Sequence, residues 1–204
     1  MRNSWKKTFA GVAGLVFAGF LAAAPRPVQA VLIDFEGLND LEVVTNQYAG
    51  VGVLFSNTTA LIDGSFGGSL NELDFPPASP ITVVTNEGGP IMVVFPTPFA
   101  FVSARFTYNG QLTLEAYSDA AGTNLIGSVM SAFNDNFVSS GNPPNELLGF
   151  ANIGPIGSLK ILGGPDFTHT VDDLDGAPIP EPASLILLGS GLGSAWLVRR
   201  RKRS

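Results

Sequence analysis

The chain has 204 residues, no cysteine, one histidine and a formal net charge of −6. Without cysteine it forms no disulfide, no thiolate metal site and no thiol nucleophile. Its central part is acidic and nearly free of the lysine and arginine that displace counterions from phosphate backbones, which excludes nucleic acid as a partner.

At the start of the chain, Arg2, Lys6 and Lys7 precede an apolar run over residues 9–24, and Val28-Gln29-Ala30 has the small-residue spacing of a signal peptidase site. This order predicts a signal peptide over residues 1–30, cut between Ala30 and Val31. An uncleaved N-terminal anchor is the alternative reading of the same segment.

Residues 31–176 are of a size that buries the core of one domain. They hold sixteen carboxylates against Arg105 and Lys160, a net of −14 that the basic ends of the chain conceal. Such a surface favours solubility outside the cell and gives divalent cations a place to bind. Short runs rich in Val, Ile and Phe, bounded by Gly, Pro and Asn, predict strands at residues 31–36, 51–56, 81–85 and 91–95. Residues 100–108 and 111–118 flank Asn109-Gly110, a dipeptide suited to a type I′ turn, and so predict a β-hairpin. In the second arm Leu112, Leu114 and Ala116 alternate with Thr113, Glu115 and Tyr117, the period of a sheet with one buried face. Further strands are expected at 124–132, 146–153, 158–162 and 169–174, with a tight connection over 119–124. Roughly ten strands with no sustained helical period predict an all-β fold, a two-sheet antiparallel sandwich of jelly-roll type.

Few residues in this domain point to chemistry. Asp34 and Glu36 near its start and Asp172 and Asp173 near its end form two acidic clusters. The first and last strands of such folds often lie side by side, so the four carboxylates are candidates to share a structural calcium, which takes six to eight oxygens. A solvated acidic edge explains the same residues. No catalytic set is assigned. His169 stands alone on a strand, reading as a surface or hydrogen-bonded core residue, and no Gly-x-Ser-x-Gly or His-Glu-x-x-His pattern occurs. Tyr117, on the polar-alternating side of its strand, is the candidate for ligand stacking. The numerous phenylalanines are expected in the core. Asn57-Thr58-Thr59 fits a glycosylation sequon, a short pattern that carries little weight alone.

Residues 177–182 read as a linker containing Pro180-Glu181-Pro182. An uncharged apolar stretch follows over 183–198, then the basic tail 199–204 with Arg199, Arg200, Arg201, Lys202 and Arg203. As a helix the apolar stretch rises about 24 Å, short of a hydrocarbon core of about 30 Å, so a transmembrane helix there needs snorkelling or local thinning. The basic tail sets it cytoplasmic side in, with everything before Pro180 across the membrane.

The tripeptide, the short apolar segment and the basic terminus together resemble the PEP-CTERM sorting signal. The resemblance implies an exported protein of an exopolysaccharide-producing Gram-negative bacterium, processed near Pro180, Glu181 and Pro182 by the membrane protease exosortase, with the basic cluster as cytoplasmic stop. A plain single-span anchor is the alternative. Phe35-Glu36 and Asp172-Asp173-Leu174 also resemble galactose-binding-like jelly rolls, including carbohydrate-binding modules, in which such residues hold a structural calcium. The expected function is a structural or adhesive surface or extracellular-matrix protein, not an enzyme, with exopolysaccharide or other matrix components and the membrane as partners. A carbohydrate-binding module is the alternative, and a secreted hydrolase the third reading.

Overall fold

A computed structural model describes residues 29–180. The signal segment 1–28, Glu181, Pro182, the apolar stretch 183–198 and the tail 199–204 lie outside the described residues. Among the described residues no helix is long and apolar enough to cross a membrane.

Among the described residues nine strands join in one antiparallel hydrogen-bonded network: β1 (Val31–Ile33), β2 (Leu54–Ser56), β3 (Thr58–Ile62), β4 (Thr82–Asn86), β5 (Ile91–Tyr108), β6 (Thr113–Tyr117), β7 (Leu125–Met130), β8 (Glu146–Leu162) and β9 (His169–Pro178). The order is β3-β4-β9-β5-β8-β6-β7, with β1 on β9 and β2 on β5. Two strands are long enough to serve both layers of the resulting sandwich. The first half of β5 pairs with the second half of β8, as in Ile91 opposite Ile161, beside β2 and β6; the second half of β5 pairs with the first half of β8, as in Val102 opposite Phe150, beside β9.

The crossing between layers has a local cause. Pro96 and Pro98 offer no N–H to the ladder, and the register shifts between Val94 and Phe99. Opposite them, Asn152 and Gly154 take positive φ of 60° and 110°, so both strands turn together from one layer to the other. Phe95 and Phe99 flank the bend and stack at 4.3 Å, both fully buried. Core residues from the two layers, among them Val84, Val102, Phe106 and Leu174 on one and Val93, Leu114 and Ile161 on the other, form one apolar cluster.

The alternation predicted for the β6 region holds: Leu112, Leu114 and Ala116 are buried. The hairpin predicted around Asn109-Gly110 does not form, because β8 lies between β5 and β6. Gly110 takes φ 109° but Asn109 stays at negative φ, so the dipeptide does not make the type I′ turn that would have paired the strands. Asn109 instead donates its N–H to Thr168 O at 2.8 Å and bridges Asp135. The separate strands expected at 146–153 and 158–162 are one, β8. The strand expected at 31–36 ends at Ile33, with Phe35 at φ 59°.

An unexpected strand, β3, follows β2 after a single residue, Asn57, whose φ of 56° interrupts the strand without reversing it and whose side chain donates to Pro90 O at 3.0 Å. The sequon residues Thr58 and Thr59 lie on this strand and are buried. The expected linker also starts later than residue 177. Ala177 and Pro178 still pair with β5, and Ile179 donates its N–H to Pro98 O at 2.8 Å.

Candidate functional site

The two acidic ends of the domain meet, as the sequence suggests, because β1 lies antiparallel to the end of β9 with Ile33 opposite Leu174. What the carboxylates do there differs from expectation. Asp172, 1% exposed, accepts the amides of Ala78 at 2.7 Å and Ser79 at 2.8 Å on Oδ2, and the Ser79 hydroxyl and Asp173 amide, each at 2.7 Å, on Oδ1. Burial pushes its carboxyl above the usual range, and the four hydrogen bonds oppose that shift. Glu36 accepts the amides of Ile81 and Thr82, both at 2.9 Å. The acids therefore bind the backbone of residues 78–82 and hold that segment against the sheet.

The remaining two expected ligands point elsewhere. Asp34 accepts the Glu36 amide at 3.1 Å in a local turn. A bulge on β9 between the pairs Ser103–Asp175 and Arg105–Asp172 sets Asp173 at φ 48°, 3.6 Å from Arg105 Nε. Among the described residues no group of three or more Asp, Glu or His side chains converges to hold an ion. Asp172 and Glu36 thus meet on residues 78–82, while Asp34 and Asp173 face other partners.

Tyr117 is buried at 8% exposure, against the expectation of an exposed ring. Its register with β8 is unbroken, so it keeps its place on the polar-alternating side, but Lys160 Nζ lies 5.7 Å from the ring centroid. The Tyr117 hydroxyl donates to the Glu115 carboxylate, and this bond, with burial, pushes its pKa up to about 12. The ring is not free to stack on a ligand.

His169 is neither at the surface nor hydrogen-bonded. It is 1% exposed, and neither Nδ1 nor Nε2 has a partner. Burial lowers its pKa to about 4. The Gly163 backbone closes over the ring so tightly that a Cβ there would lie 2.5 Å from Nδ1.

Two aromatic side chains that the sequence assigned to the core are exposed. Phe66, 68% exposed, sits on a turn whose Ser65 amide is capped by Asp63 at 2.7 Å. Phe167, 49% exposed, has a φ of 62°, and Asp166 beside it accepts the amide of Gly88 at 2.9 Å and the Asn86 side chain at 3.2 Å. The only advance signals were the neighbouring Gly and Pro residues, which mark turns but say nothing of exposure.

No curated protein matches the sequence. Solved structures that resemble the fold include the K2 cleaved adhesin domain of Lys-gingipain, 10% identical with a TM-score of 0.45, covering 72% of this chain and 99% of that one. The K1 cleaved adhesin domain of Lys-gingipain from Porphyromonas gingivalis W83 is 8% identical with a TM-score of 0.42, covering 74% and 99%. CsCBM6-3 from Clostridium stercorarium, in complex with cellobiose, is 10% identical with a TM-score of 0.36, covering 73% and 94%. At these values the likeness carries no argument about what this chain binds. The terminus is more specific: from Pro178, the last residue of β9, through Lys202, the chain matches and carries the PEP-CTERM protein-sorting motif.

Proposed function

We propose that this chain is an exported surface protein whose anionic jelly-roll-type sandwich serves a structural or adhesive role in the extracellular polysaccharide matrix. An exosortase-like membrane protease would process its C-terminal signal. The observation that carries this reading is the sorting motif joined directly to a cysteine-free sandwich. Locating the mature C-terminus by mass spectrometry tests it: loss of residues 183–204 is expected, and an intact tail in the final product would favour a plain anchor.

Recognition of a neutral glycan is the second reading, and the exposed rings of Phe66 and Phe167 favour it, since sugars stack on aromatic faces. A glycan array probed with residues 31–180 separates the two. Saturable binding abolished by Phe167→Ala supports recognition, and a blank array supports scaffolding. A hydrolase would have to work without the imidazole, which is sealed from solvent.

Calcium stabilisation rests on the meeting of the acidic ends alone. Calcium at tenfold its dissociation constant would then add about 1.4 kcal/mol, raising the melting temperature over that in EDTA. Equal melting temperatures remove the ion from this account.

A further inference from the structure

The last strand remains hydrogen-bonded up to the residue before the tripeptide. Pro178 lies opposite Phe99, Ile179 N–H is held by Pro98 O at 2.8 Å, and Pro180 follows at once. On its other side β9 carries β1, with Val31 opposite Gly176. Gly176 is also pressed under the Phe99 ring: a Cβ there would stand 2.6 Å from Cδ2, and Phe99 is fully buried. Three devices thus hold this end of β9, namely a ladder to β5 that runs to Ile179, a second ladder to β1 that ends at Gly176, and the Phe99 ring over that glycine. Proteins that take a peptide in extended form commonly do so through its backbone N–H and C=O groups. Just upstream of Pro180 the edge of the strand that faces β5 is already paired, and from Gly176 back both edges are.

We propose that residues 176–179 form a clasp that places the processed peptide bond C-terminal to Ile179 and gates its cleavage, so that the cut waits on fraying of the strand end. The proposal rests on the sorting reading above and adds to it the regulation of that site. The step is a hydrolysis in which the peptide C–N bond breaks, the acyl carbon takes the hydroxyl of water and the amine takes its hydrogen. Fraying of a strand terminus costs far less than global unfolding, so the clasp slows processing without forbidding it.

The test follows the full chain by pulse-chase in a host that carries the processing protease. Six Gly/Ser residues inserted between Ile179 and Pro180 add about 13 Å of mean reach and leave the domain untouched. The expected result is at least fivefold faster processing than wild type, with Gly176→Val, which dislodges Phe99, also faster. The wild-type product should end at Ile179 or beyond. Equal rates for wild type and insertion overturn the gate, and a product ending before Ile179 overturns the placement of the cut. If neither chain is processed while the host matures its own substrates, the sorting reading itself fails, and the clasp with it.

Discussion

Asp172→Ala is expected to destabilise the domain by about 3 kcal/mol, one of its two largest single-residue effects. The carboxylate is the common acceptor for Ala78 N–H, Ser79 N–H, the Ser79 hydroxyl and Asp173 N–H. Removing it frees four donors at once. Hydrogen bonds to a charged group are each worth about 1.5–3 kcal/mol, but Ala78 is exposed and its amide will find water, which holds the sum down. Urea denaturation should show the midpoint falling by roughly 1.5 M for a slope near 2 kcal/mol/M. Limited proteolysis should cut first near residues 75–80. A midpoint shifted by less than a third of that amount would mean that the segment is held by other means, such as Asn145 Nδ2 donating to Pro76 O at 3.1 Å.

The second large effect is a dependence on pH between 6.5 and 4. His169 has its pKa lowered to about 4 by burial, against 6.5 in the unfolded chain. Above 6.5 neither state binds the proton, and the stability is full. As pH falls towards 4 the unfolded chain takes up the proton while the folded one does not, so stability is lost by about 3 kcal/mol across the window. Below 4 both states are protonated and the loss stops growing. Asp172 acts in the opposite sense, because its raised pKa lets the folded state gain a proton first as pH falls. Asp40, Asp74 and Asp119, with pKa values lowered by hydrogen bonds, lose their contribution only at the acid end. The difference between wild type and His169→Leu isolates the imidazole. The two unfolding free energies should diverge by about 3 kcal/mol on going from pH 7 to pH 4, and parallel curves would show that the ring reaches solvent or a partner.

Much of this fold was legible because it rests on local patterns. Leu112, Leu114 and Ala116 announce their burial through the strand period, and the Val- and Ile-rich runs at 81–85 and 91–95 mark β4 and the start of β5. Pairing was less legible, since it is a contest between distant segments. Asn109-Gly110 favours a turn, but β8 offers β5 and β6 a long, largely uncharged partner that a two-residue turn cannot outbid. Residue types also told less than their partners did. Asp172 and Glu36 were recognised as a concentration of charge, whereas the groups they bind are backbone amides, which every residue but proline carries and no sequence singles out. The burial of Tyr117 was hidden for a third reason: alternation gives the face that a side chain occupies, not the neighbours, here Glu115 and Lys160, that cover it there.

The pairing of Val31 with Gly176 has a mechanical corollary. Both ends of the domain depart from a single rim, while the turn bearing Phe167 lies at the other pole, about 30 Å away along the ten residues of β9. Tension between a tethered C-terminus and something gripped at that pole runs along the axis of a strand bonded on both flanks. Its rungs are then sheared together rather than unzipped in turn, which suits a surface part that must resist being pulled away.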